Sequence, residues 1–132
     1  HDAPRTPIVL VTGDFDAARA RAAAEIERLT GEGTAVGLLA PAEDADVVAA
    51  RFAATLRQGR LVVRAYGSRQ DPERAARELF DAIRALDASG AGTLLALAPE
   101  AVGIGAAVHD RLMRACEGRV LRADDPPPSP SR

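Results

Sequence analysis

The stretch that decides the fold is "IVLVTGDFDAARARAAAEIERLTG", residues 8–31. Residues 8–11 form a short run of branched apolar residues, the pattern of a strand buried on both faces. Thr12-Gly13-Asp14 then turns the chain, with Asp14 placed to cap a helix. Phe15, Ala18, Ala22, Ile26 and Leu29 follow at helical spacing, and Gly31 supplies the stop. A buried strand that leads through a tight turn into an amphipathic helix is half of a parallel β-α-β unit. The rest of the chain repeats the unit.

Outward from that stretch, "TAVGLL" (34–39) reads as a second strand ended by Pro41. Val48, Phe52 and Leu56 mark one surface helix over 44–58, closed by Gly59, and "LVVRAY" (61–66) is a third strand. Asp71-Pro72-Glu73 is a helix start: a capping carboxylate, a proline where its missing N–H costs nothing, and an acid in the first turn. Ala76, Leu79, Phe80, Ile83 and Leu86 continue it as one stripe up to Ser89-Gly90. "TLLALA" (93–98) is a fourth strand. Ile104, Ala107, Val108, Leu112, Ala115 and Cys116 line a last helix, and "RVLR" (119–122) is a short fifth strand. Strict alternation implies an α/β fold, three-layered and Rossmann-like, with about five parallel strands. Arg64 and Tyr66 suit the third strand to an edge, and the uniformly apolar first and fourth strands suit the centre. The expected order is 3-2-1-4-5. The loops after strands one and four would then flank one crevice, the usual ligand position in such sheets. Residues 1–7 are a polar stretch ahead of the first strand, 8–123 read as a single domain and 124–132 as a Pro-rich tail with no core to join.

Composition narrows the function. The 132 residues carry 17 basic and 19 acidic side chains, a net charge of −2, so no basic field exists to draw in nucleic acid. Every basic residue is Arg, which removes lysine-based chemistry, whether Schiff base or Walker-type phosphate contact. Aromatics are only 3%, so the core must be built from Ala, Val, Leu and Ile. A single cysteine forms no internal disulfide, and no apolar run is long enough for a membrane span, so a cytoplasmic setting is expected. The chain starts without Met and is expected to be part of something longer.

The chemistry-bearing motifs are incomplete. Gly103 and Gly105 begin a G-x-G-x-x-G pattern, but Val108 stands at the third glycine. Thr12, Gly13, Gly103 and Gly105 are the only candidates for a nucleotide or phosphate contact. Close packing at a helix entrance is the favoured explanation of the two glycines. His109 reads as a solvated helix position and Cys116 as an inert core thiol. No His/Cys/Asp cluster has metal-ligand spacing, so no metal is expected. Asp110 and Arg114 stand at i, i+4, the spacing of a surface ion pair. Arg111 and Arg114 share an exposed face that packing does not require, which makes them candidates for partner contact. No catalytic residue emerges.

One resemblance covers nearly the whole ordered chain. Residues 72–116 resemble the C-terminal accessory domain of long-form threonylcarbamoyl-AMP synthases. In that family a helix of the type A-R-x-L-F-x-A-L-R-x-L-D precedes a strand and a G-x-G-x-A-[IV]-x-[DN]-R-L-x-R-A segment. Ala76, Arg77, Leu79, Phe80, Ala82, Arg84 and Asp87 match the first. Gly103, Gly105, Ala107, Val108, Asp110, Arg111, Leu112, Arg114 and Ala115 match the second. "HDAPRTP" is similar to the end of the family's linker, H-Y-A-P-x-x-P, with Asp2 in place of the usual Tyr. The resemblance implies a domain that supports or gates an N-terminal catalytic domain in cis. That domain joins threonine, bicarbonate and ATP, with Mg, for threonylcarbamoyladenosine modification of tRNA. It further implies contact with downstream threonylcarbamoyl-transfer proteins, no cofactor in this domain and no synthase activity from this chain alone. The alternative is a stand-alone nucleotide-binding or protein-docking module.

Overall fold

The computed structural model describes residues 5–98 and 105–124. Five parallel strands form one sheet: β1 (Ile8–Thr12), β2 (Val36–Ala40), β3 (Leu61–Ala65), β4 (Thr93–Leu97) and β5 (Val120–Arg122). The helices are α1 (Phe15–Gly31), α2 (Ala42–Arg51), α3 (Ala53–Arg57), α4 (Pro72–Asp87) and α5 (Gly105–Ala115). The α/β class and the parallel sheet are as the sequence implies. No helix among the described residues is long and apolar enough to cross a membrane.

Each strand feeds two cores because successive side chains point to opposite faces. Ile8, Leu10, Leu94 and Ala96 face α4 and α5, meeting Leu79, Leu86, Val108, Leu112 and Cys116. Val11, Leu38, Leu95 and Leu97 face α1, α2 and α3, meeting Ala18, Ala22, Ile26, Val48 and Phe52. The alanines of α1 let that helix lie close to the sheet, which is how a chain poor in aromatics fills its interior.

The strand order corrects the expected 3-2-1-4-5: it is β3-β2-β4-β1-β5. β4 occupies the centre, pairing with β1 through Ile8↔Leu94 and with β2 through Val36↔Thr93. Both strands are apolar throughout, so hydrophobicity could not rank them. What separates them is their outer neighbour, since β5 is only three residues long and pairs with Leu10, Val11 and Thr12 alone. Val9 and Thr12 of β1 consequently keep some exposure, while Leu94–Leu97 of β4 are all buried. β1 and β4 remain neighbours, so their C-terminal ends lie side by side, while the loop that follows β4 lies outside the described residues.

Three local readings also change. The single helix over 44–58 is two, broken at Phe52, whose ring turns into the core at φ −107° and ψ 33°. Phe80 does not join the buried stripe of α4: it is 50% exposed, under the guanidinium of Arg111, 5.0 Å from the ring centroid. Ala107 on α5 is exposed rather than buried. The caps hold as read, with Asp14 accepting from the amide of Ala17 at 3.3 Å and Asp71 from that of Arg74 at 3.1 Å. Residues 1–4 and 125–132, which include most of the expected Pro-rich tail, lie outside the described residues.

The placement of α4 is open to a direct test at two adjacent positions. Leu79→Ala is expected to cost about 2–5 kcal/mol of unfolding free energy, the range for a fully buried leucine. Phe80→Ala is expected to cost under about 1 kcal/mol, the worth of one exposed ring and its cation contact. Urea denaturation of the two variants measures both values, and similar losses would contradict this register.

Candidate functional site

The C-terminal edge of the sheet is organised by a carboxylate that sequence reasoning passed over. Asp44 lies in the first turn of α2 with its side chain wholly removed from solvent. Its Oδ1 accepts from Nη1 of Arg19 on α1 at 3.0 Å and from Nη2 of Arg69 in the β3–α4 loop. Its Oδ2 accepts from Nε of Arg69 at 2.9 Å, so the Arg69 fork grips both oxygens. Asp16 flanks the pair, 3.4 Å from Arg19 and 3.5 Å from Arg69. The Arg69 guanidinium also stacks over Phe15, 4.3 Å from the ring centroid.

The loop that carries Arg69 is fastened from several sides. Glu43 accepts from the Ser68 hydroxyl at 2.6 Å and from the Arg69 amide at 3.1 Å. These donors, the hydroxyl foremost, hold the Glu43 carboxyl below its usual range. The Arg69 guanidinium is correspondingly raised, chiefly by its hydrogen bonds to Asp44. Tyr66 leaves the edge strand, turns inward and donates its hydroxyl to the Leu97 carbonyl at the end of β4. Burial first, and the nearby Asp44 charge second, push this phenol far above its ordinary value, so it stays a neutral donor. Gly67 has φ +62°, and a Cβ there would sit 2.7 Å from the Ala75 backbone, so only glycine lets α4 approach. Its amide donates to Glu78 on α4 at 2.7 Å.

This arrangement is a clamp. The donors of Arg19 and Arg69 are turned onto Asp44 and Asp16, and their two positive charges meet at least as many negative ones. A phosphate entering here would have to displace carboxylates already in place. Burying a carboxylate under two arginines is tolerable only because each oxygen is hydrogen-bonded. Asp44 does leave a signal in the sequence. It stands one helical turn ahead of the stripe Val48, Phe52 and Leu56, which makes it an acid on the buried face.

The sequence candidates are placed as follows. Thr12 ends β1 opposite Arg122, and Gly13 follows at φ +131°. A Cβ on Gly13 would lie 2.9 Å from the Ala123 Cβ, so the chain leaving β5 fills the space beside it. Gly105 is the first residue of α5, and Gly103 lies outside the described residues. The structure therefore brings Thr12 and Gly13 together with Ala123. Arg111 and Arg114 are exposed on α5, Arg111 over Phe80 as described. Asp110 and Arg114 do not form an ion pair, since no such contact occurs within 4.0 Å among the described residues. His109 is partly buried rather than solvated, and its Nδ1 has no hydrogen-bond partner among the described residues. The buried Cys116 thiol donates to the Met113 carbonyl at 3.3 Å, as a core thiol should. Among the described residues no group of three His, Cys, Asp or Glu could hold a metal ion.

A parallel five-stranded sheet, helices on both faces and a C-terminal sheet edge locked by internal ion pairs define a Rossmann-like α/β domain. The chain belongs to the family "Threonylcarbamoyl-AMP synthase, C-terminal domain", whose model matches residues 1–116. It is 30% identical over 122 residues to the threonylcarbamoyl-AMP synthase of Bacillus subtilis (strain 168), covering 92% of this chain and 31% of that relative. The crystal structure of P. abyssi Sua5 complexed with L-threonine superposes with a TM-score of 0.73 at 28% identity, over 92% of this chain and 31% of that one. A P. abyssi Sua5 with a histidine and a tyrosine replaced by alanine gives 0.71 at 29% identity, over 90% and 30%. The chain thus spans about a third of the length of the relatives it matches.

The clamp predicts an asymmetry between its members. Asp44→Ala leaves two guanidiniums facing each other with only the exposed Asp16 as a shared counter-charge. Loss of one partner of a buried pair costs about 3–5 kcal/mol, and the lower end is expected here because both arginines keep about a quarter of their side-chain surface in water. Arg19→Ala should cost less than half of that, because Arg69 still holds both carboxylate oxygens. Urea unfolding of the two variants gives the comparison, and equal losses would show that Arg69 alone does not satisfy Asp44.

Proposed function

We propose that this chain is the accessory domain of a threonylcarbamoyl-AMP synthase. It supports or gates, through the linker ahead of β1, an N-terminal catalytic domain in cis. That domain joins threonine, bicarbonate and ATP, with Mg, into threonylcarbamoyl-AMP for the threonylcarbamoyladenosine modification of tRNA. The observation that carries the reading is the family match over residues 1–116, together with a chain spanning about a third of a synthase. No cofactor is assigned to this domain, and ATP and Mg belong to the catalytic one. A cytoplasmic setting accompanies the reading, supported by a lone cysteine kept as a buried thiol.

The absence of any lysine supports the division of labour, because a lysine-bearing nucleotide site has no place in this sequence. The filled space beside Gly13 and the paired arginines at the C-terminal sheet edge favour the accessory reading over a nucleotide-binding module. A docking role toward the downstream transfer proteins draws on one further observation. Phe80 and Met113 are exposed apolar side chains on α4 and α5, beside Arg111 and Arg114.

Two measurements test the reading. Removing this domain from the full synthase is expected to lower the rate of threonylcarbamoyl-AMP formation at least tenfold, and full activity after deletion would overturn it. ATP, AMP or GDP at millimolar concentration is expected to leave the melting temperature of the chain unchanged. A bound nucleotide must stabilise by mass action, about 2.7 kcal/mol at a hundredfold excess over Kd. A clear upward shift would restore the nucleotide-binding module.

A further inference from the structure

The residues just ahead of β1 are tied down by a single carboxylate more than eighty positions away. Asp87, the last residue of α4, accepts from the Arg5 amide at 3.2 Å through Oδ2. Its Oδ1 accepts from the Thr6 amide at 2.9 Å and from the Thr6 hydroxyl at 2.8 Å. Pro7 follows at once, and its carbonyl accepts from the Leu94 amide at 2.9 Å, the first rung toward β4. Asp87 therefore holds Arg5 and Thr6 ahead of the first strand.

Nothing in α4 itself asks for an acid at this position. The carbonyls at the end of a helix carry its negative pole, so a carboxylate there is electrostatically misplaced. The helix end is closed by other groups: the Ala88 amide donates to the Arg84 carbonyl and the Ser89 hydroxyl to that of Leu86. A carboxylate can only accept, and among the described residues every side-chain hydrogen bond of Asp87 comes from Arg5 and Thr6. Those donors, the Thr6 amide first, hold its carboxyl below the usual range.

We propose that Asp87 is the anchor of the interdomain linker: it fixes Arg5 and Thr6 to the end of α4, so the linker takes its direction at Arg5 and not at the first strand residue. This rests on reading residues 1–7 as a linker, and it makes Asp87 a positioning residue for the synthase. Movement of the linker would then be delivered to α4 directly. The anchor lies at the edge of the sheet opposite the Asp44 clamp, because α4 runs antiparallel to the strands.

The anchor and the linker reading can be tested separately. Trypsin cuts after arginine, and the Arg5–Thr6 bond is shielded only while both amides are held. Asp87→Ala is expected to speed cleavage at Arg5 at least tenfold relative to cleavage at the other arginines of the same chain. Asp87→Asn, which keeps one acceptor oxygen for Thr6, should fall between this variant and the unaltered chain. Cleavage at Arg5 that is unchanged, or that rises only in step with the other sites, would overturn the anchor. In the full synthase, Asp87→Ala should lower kcat at least threefold with the threonine KM unchanged, and Asp87→Asn should recover part of it. Faster cleavage at Arg5 with an unaltered kcat would keep the anchor and overturn its role in positioning the catalytic domain.

Discussion

Asp44 carries its charge without touching water, and three separate segments owe their positions to that fact. The carboxylate can remain there only because both oxygens are met by cationic donors: Arg69 of the β3–α4 loop grips both, and Arg19 of α1 adds a second donor to Oδ1. A planar guanidinium fits this task in a way an ammonium could not, because it meets two oxygens at once and loses less hydration. The replacement of Lys by Arg throughout the chain is therefore not neutral at this position. An ion pair of this kind is weak evidence for net stability, since desolvation offsets most of the attraction. What it does secure is geometry: with Asp44 unmet the charge is stranded, so the loop from Tyr66 to Arg69 has one acceptable place.

Much of this fold was legible because its local signals agree with one another. Asp14 and Asp71 cap the helices they seem to cap, and the two faces of each strand feed two cores as a parallel sheet requires. The strand order was not legible. β1 and β4 have equivalent apolar patterns, and the feature that ranks them is the length of β5, a property of another strand. Asp44 escaped notice because acids in the first turn of a helix are ordinary. Only its spacing from Val48 marks it as inward-facing. Phe80 misled for the opposite reason, since an aromatic on the border of an apolar stripe is buried only if a neighbouring helix reaches it. Here α5 reaches it with Arg111, which covers the ring with a cation and leaves half of it in solvent.

The family motifs separate into parts with different physical duties. Leu79, Ala82, Val108 and Leu112 are buried between the sheet and the outer helices, where any well-packed domain of this class would need apolar residues. Phe80, Arg84, Arg111 and Arg114 are exposed, and the integrity of the fold does not require them. Asp87 belongs to neither group, since its partners lie in the chain ahead of the first strand.

The position of α4 joins these observations. Its sixteen residues span roughly 24 Å at the rise of an α-helix, longer than the roughly 17 Å of the five-residue strands it covers. In its N-terminal half, Glu78 holds Gly67, whose loop leads into Ser68 and Arg69 and so to Asp44. At its C-terminal end Asp87 holds Arg5 and Thr6. Between the two, Leu79 and Leu86 are fully buried against the sheet and prevent the helix from bending independently of it. A pull on Arg5 cannot be absorbed by a soft joint at that end, because the two amides share one carboxylate on a rigid element. It must either break those hydrogen bonds or load the helix, whose N-terminal half is fastened to the loop that the buried charge holds in place.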